Sequence, residues 1–70
     1  MTQEEAIILA TVYIQENHPD KYVTDKPIIV RDESEKYFIS FDKVILSSIP
    51  THGLAKVDKI TGHIDWVPLR

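Results

Sequence analysis

Hydrophobic and polar positions follow two different periods along this chain, and the change of period divides it. From Gly53 to Pro68 the period is two. Ala55 and Val57 alternate with Lys56 and Asp58, and Ile64 and Trp66 alternate with His63 and Asp65, as in two strands that each bury one face. Thr61-Gly62 between them predicts a tight turn, with Gly62 supplying the positive φ that a residue without Cβ adopts at little cost. From Ala6 to Ile14 the period is helical. Ala6, Ile7, Leu9, Ala10, Tyr13 and Ile14 make a broad apolar stripe suited to packing on a sheet.

Both ends of that helix are marked. Thr2 and Glu5 have the spacing of a capping box, in which hydroxyl and carboxylate each accept from an orphan amide of the first turn. Glu4 and Glu5 complement the helix dipole there, and Asn17-His18-Pro19-Asp20 ends the helix because proline disfavours the α conformation of the residue before it. Ile8 and Val12 fall outside the stripe, together on the flank beside Gln15. Two readings are open for them: a widened core face, or a contact with a partner or a second copy.

Pro27-Ile28-Ile29-Val30-Arg31 reads as a first strand, β-branched and expected to be buried on both faces in its middle. Pro27 suits the first position of a strand or an edge. After the charged turn Asp32-Glu33-Ser34-Glu35, the run Lys36 to Asp42 alternates so that Tyr37, Ile39 and Phe41 share the helix-facing side. Between Lys43 and His52 the pattern fits a continued strand, a helical turn or a core cap, with Ser47 to Gly53 read as a loop. Trp66 is a core anchor on the parity of Ile64 and an exposed aromatic on the opposite parity. The weak anchoring offered by Val67 and Leu69 favours the core.

These elements predict one α+β domain over residues 1–70, a single N-terminal helix packed on a four-stranded antiparallel meander (α-β-β-β-β). The second sheet face is then left open. By parity it carries Phe38, Ser40, Lys56, Asp58, His63 and Asp65.

Composition narrows the chemistry. The absence of cysteine removes disulfides, thiolate metal sites and thiol nucleophiles together. A net charge of −3 with scattered Lys and Arg opposes generic nucleic-acid binding. The apolar run of the helix is too short to span a bilayer and no basic leader precedes it, so a cytoplasmic protein without membrane contact is expected. Three histidines, His18, His52 and His63, lack the close spacing of zinc ligands. No Gly-x-Ser-x-Gly elbow or glycine-rich phosphate loop is present, so neither an enzyme nor a cofactor is expected. Exposure and charge single out Asp32, Glu33 and Glu35 in the acidic turn, Ser48 and His52 in the loop, and Asp65 on the open face as partner contacts. Ile8 and Val12 are the candidate oligomer interface.

The octet Val57-Asp58-Lys59-Ile60-Thr61-Gly62-His63-Ile64, after an amphipathic helix and an aromatic strand, resembles two groups of small bacterial domains. One comprises polymorphic-toxin immunity proteins of the YrhB type and of the short nuclear-transport-factor-like fold; the other is the PepSY domain, whose terminal hairpin is similar. The Gly-Trp pair of the immunity group is replaced here by Lys36-Tyr37-Phe38. The resemblance implies a non-catalytic inhibitor that binds and blocks a toxin. An acidic chain suits a basic toxin or enzyme as partner. The alternatives are a small structural homo-oligomer, such as a homodimer, and a regulatory protein encoded by a phage or mobile element.

Overall fold

The computed structural model describes residues 1–44 and 52–69. Ser48 and most of the stretch between Lys43 and His52 lie outside them. Helix α1 runs Gln3–Asn17, followed by β1 (Ile28–Asp32), β2 (Lys36–Asp42), β3 (His52–Asp58) and β4 (Ile64–Leu69). The strands form one antiparallel sheet in the order β1-β2-β3-β4. This is the expected α+β meander.

The helix starts as its capping box requires. Thr2 Oγ1 accepts from the Glu5 amide at 3.2 Å, and Glu5 Oε1 accepts from the Thr2 amide at 3.0 Å. At the other end the chain reverses through Asp20, at φ 63, a left-handed conformation that aspartate tolerates better than most residues. The following residues run along the end of β2: the Val23 amide donates to Asp42 O at 2.7 Å and the Val44 amide to Lys21 O at 2.9 Å.

Ala6, Ala10 and Ile14 are the buried positions of α1, and they meet Tyr37, Ile39 and Phe41 of β2 and Ala55 and Val57 of β3. Alanines on the contact face let the helix axis approach the sheet closely, and among the described residues no polar or charged residue is buried with them. Leu9, expected in the stripe, is exposed, because it lies at the margin of the narrow face centred on Ala10. Its Cδ1 instead lies against the hairpin turn, where a Cβ on Gly62 would meet it at 3.5 Å.

Strand β1 corrects another expectation. Ile28 and Val30 are 55% and 50% exposed, because β1 is an edge strand and not a central one. Its register slips between Ile29 and Arg31, leaving Val30 as an unpaired bulge. Only Ile29 packs on the core.

The β3–β4 turn is longer than a Thr-Gly pair. The Asp58 amide donates to His63 O and the Gly62 amide to Asp58 O, both at 2.9 Å, so four residues make the reversal, with Gly62 at φ 75 closing it. Trp66 takes the parity of Ile64, opposite Ala55. Its six-membered ring lies over Gly53, where an added Cβ would collide with Cζ2. Glycine is required there because only a bare Cα leaves room for the indole.

Candidate functional site

The residues singled out by charge and exposure fall into separate groups. At the turn end of the sheet, Asp32 is engaged internally: Lys59 Nζ lies 2.6 Å from its Oδ1 and Gln3 Nε2 3.4 Å from its Oδ2. The Lys59 ammonium holds the Asp32 carboxyl below the usual carboxylate range. Glu33 pairs with Arg31 at 2.6 Å. The acidic turn is therefore a set of ion pairs and not a field of free charge, although Glu35 stays exposed. Its backbone matters more, since Glu35 O accepts from the Lys59 amide at 2.9 Å and joins the two turns.

Asp58 secures the same corner. Its Oδ1 accepts from the Ile60 and Thr61 amides at 2.8 and 2.9 Å, and these two amides, Thr61 first, hold its carboxyl below the ordinary range. Ile60, 89% exposed at the tip of this turn, is presented on a fixed backbone. The residue was not singled out from the sequence, because nothing local distinguishes an exposed isoleucine in a turn from a buried one in a strand.

His52 is not in a loop. It is the first residue of β3, half-buried and paired with Asp42 and Leu69, at the far end of the strand from Asp58. That separation is about 20 Å at roughly 3.3 Å per residue. The acidic turn and His52 therefore stand at opposite ends of the sheet.

The open sheet face is ordered in ranks. One rank reads Ile28, Ser40, Leu54, Val67 across the strands, and the next reads Arg31, Phe38, Lys56, Asp65. The Arg31 guanidinium carbon and Lys56 Nζ lie 5.4 and 5.5 Å from the Phe38 ring centroid, within cation–π range. Beyond them Lys36 Nζ is 3.7 Å and His63 Nε2 3.1 Å from the Asp65 carboxylate. Arg31, Lys36 and Lys56 around this aromatic centre are matched by carboxylates, Glu33 beside Arg31 and Asp65 and Asp58 beside Lys36. Parity placed Phe38, Lys56, His63 and Asp65 on the face, but not Arg31 or Lys36, and the β1 bulge that brings Arg31 to Phe38 has no sequence signature.

At the opposite end from the turns, rings from four elements converge. Trp66 lies 4.8 Å from Tyr22, 5.4 Å from His18 and 6.4 Å from Phe41, centroid to centroid, and His18 is 6.2 Å from Tyr13. A hollow of about 420 Å³ beside them is lined by residues including Gln15, His18, Asp20 and Tyr22. No described carboxylate hydrogen-bonds to His18, so no base with its orienting partner is assembled there. Among the described residues no cluster of three or more His, Cys, Asp or Glu is placed to hold a metal ion.

The outer face of α1 completes the picture. Ile8 and Val12 are 62% and 44% exposed. Each stands about 160° around the helix from Ala10 at 100° per residue, so they occupy the pole opposite the core instead of widening it. Glu4, Glu5 and Glu16 surround them, and α1 contains no basic residue. Residues 1–27 carry five carboxylates and two lysines, while residues 28–70 carry six acidic and six basic side chains. The net charge of −3 therefore belongs to the helix and the connection after it.

No described helix is long and apolar enough to cross a membrane. No protein-family model matches the chain, and no curated protein or solved structure matches it either.

Proposed function

We propose that this chain is a non-catalytic protein-binding inhibitor of the immunity-protein type, acting in the cytoplasm by covering the working surface of a basic toxin or enzyme. The observation that carries the reading is the outer pole of α1, where Ile8 and Val12 stand exposed inside a ring of glutamates with no basic residue on the helix. A helix apolar on two opposite faces is suited to being covered on both. The sheet covers one. The charge of the rim selects what covers the other, since a basic partner gains in association rate and register from Glu4, Glu5 and Glu16.

This reading moves the contact surface from the acidic turn to the helix. Asp32 and Glu33 already have cations of their own, whereas the helix glutamates face no lysine or arginine within α1. The same charges oppose a symmetrical homodimer through Ile8 and Val12, because an isologous helix pair would bring glutamates together.

The test is capture of partner by tagged wild-type protein and by an Ile8→Asp, Val12→Asp variant, at low and at moderate salt. Retention of a stoichiometric basic protein by the wild type at both salts, and its loss from the variant, is the expected result. Restoration of growth when that basic protein is co-expressed with the wild-type chain, but not with the variant, tests inhibition itself. Equal capture by both proteins overturns the helix as the contact surface.

A further inference from the structure

The hollow of about 420 Å³ at the C-terminal end of α1 has a chemically one-sided wall. Among the described residues that line it, Asp20 is the single carboxylate, and there is no lysine or arginine. Asp20 forms no ion pair among the described residues. The last turn of α1, which borders the hollow, carries no basic residue, so the negative pole of the helix dipole faces no lysine or arginine of its own helix. His18 and Tyr22 add two rings, T-shaped to one another at 5.8 Å, and the faces of aromatic rings attract cations. Ile14 and Val44 complete the wall with apolar surface, of the kind that the aliphatic stem of a long basic side chain covers. Carboxylate and helix pole together repel an anion.

We infer that this hollow receives one lysine or arginine side chain from the basic protein that covers the outer pole of α1. The inference rests on the inhibitor reading and names the group on the partner that fixes its register. Asp20 is available for that contact where Asp32 and Glu33 are not, because those two already hold Lys59 and Arg31.

Position and size agree with this. Gln15, on the wall of the hollow, stands about 20° from Ile8 around the helix and about 10 Å along it. A partner surface seated on Ile8 and Val12 therefore runs on to Gln15 and the hollow. The volume is at the lower end of the range for ligand pockets, about 300 to 1,000 Å³, and suits a single long side chain.

Two arms test it. In the first, purified protein is titrated by NMR at constant, near-neutral pH with n-butylammonium, and with butyrate and n-butanol as controls of the same chain length. Saturable shifts of the His18 and Tyr22 ring signals are expected from the ammonium and not from the controls. Asp20→Asn removes the charge but keeps a residue that tolerates the left-handed backbone, and is expected to weaken probe binding about fivefold. Gln15→Lys puts a cation of the chain's own on the wall and is expected to abolish it. In the second arm, the basic protein captured by the wild type is titrated against Asp20→Asn, and its affinity is expected to fall about fivefold. No saturable shift from the ammonium, or an equal one from butyrate, overturns the inference and leaves the helix contact standing. Probe binding with unchanged partner affinity in Asp20→Asn also overturns it, and assigns the hollow to a free amine. Capture of no basic protein by the wild type overturns the inhibitor reading and this inference together, a result that the first arm alone cannot give.

Discussion

The two ends of the sheet are held by different physics. At one end Phe41, Tyr22, His18 and Trp66 close over Gly53 through ring contacts. At the other, Asp32, Lys59, Asp58 and the helix cap close through hydrogen bonds and an ion pair. The aromatic end depends on shape and excluded water, which salt does not screen. The turn end depends on carboxylates staying ionised at the surface, where salt screens them. A small domain that distributes its fastening in this way has one end that responds to the solution and one that does not.

The largest break is expected from Phe41→Ala. Phe41 is fully buried, and truncating such a ring costs about 3 to 5 kcal/mol, against a total stability of about 4 to 10 kcal/mol for a chain of this length. Urea unfolding is expected to find the midpoint of this variant lowered by about half or more; a midpoint close to the wild type would show that the aromatic end is not a fastening at all. Gly53→Ala comes next. Its Cβ cannot share space with the Trp66 ring, and overpacking of this kind costs about 1 to 3 kcal/mol. Displacement of the indole is expected to shift the fluorescence maximum of this single tryptophan, and an unchanged spectrum would place Trp66 elsewhere.

At the turn end the effects are smaller. Thr2→Ala removes the hydroxyl half of the capping box and is expected to lower stability by about 1 kcal/mol, read as a fall in melting temperature. Acid then separates the two ends without mutation. The carboxyls of Glu5, Asp32 and Asp58 are all held below their ordinary values, by the Thr2 amide, the Lys59 ammonium and the Thr61 and Ile60 amides respectively. Depressed folded-state values mean that their contribution is present above the unfolded carboxylate range, near pH 4, and is lost as pH falls through the lower folded values. Melting temperature is therefore expected to be flat above about pH 5 and to decline below about pH 4. Combining Glu5→Gln, Asp32→Asn and Asp58→Asn is expected to flatten that decline. Gly53→Ala should leave its slope unchanged. The smallest effect belongs to Lys59→Met, which removes the ion pair with Asp32 and the ammonium from over the Tyr37 ring, and 1 M salt should erase the ion-pair part of the difference from wild type.

The same contrast explains what could be read from residues in order. The capping box, the hairpin alternation and the positive φ at Gly62 are local, with every partner within a few residues, and each stands where the pattern puts it. The side chosen by Tyr37, Ile39 and Phe41 followed from period alone. The exposure of β1 did not, because Ile28-Ile29-Val30 has the same composition in an edge strand as in a central one, and sheet order decides which it becomes. The Asp32–Lys59 pair joins residues from different hairpins, so Asp32 reads as a free charge until the two turns meet. Gly53 carried the one overlooked local signal, since a glycine inside an alternating strand marks close approach of another group. What approaches it, Trp66, could not be named until the register of β3 on β4 was known.

The bulge at Val30 has a consequence for misassembly. A regular edge strand exposes a row of amides and carbonyls on which another chain can add as a further strand, the first step toward fibrils. In β1 the slip between Ile29 and Arg31 interrupts that row and twists it. On the opposite edge Pro68 removes an amide donor from β4, as proline does at a sheet edge. Both margins of the sheet are thereby poor templates for strand addition.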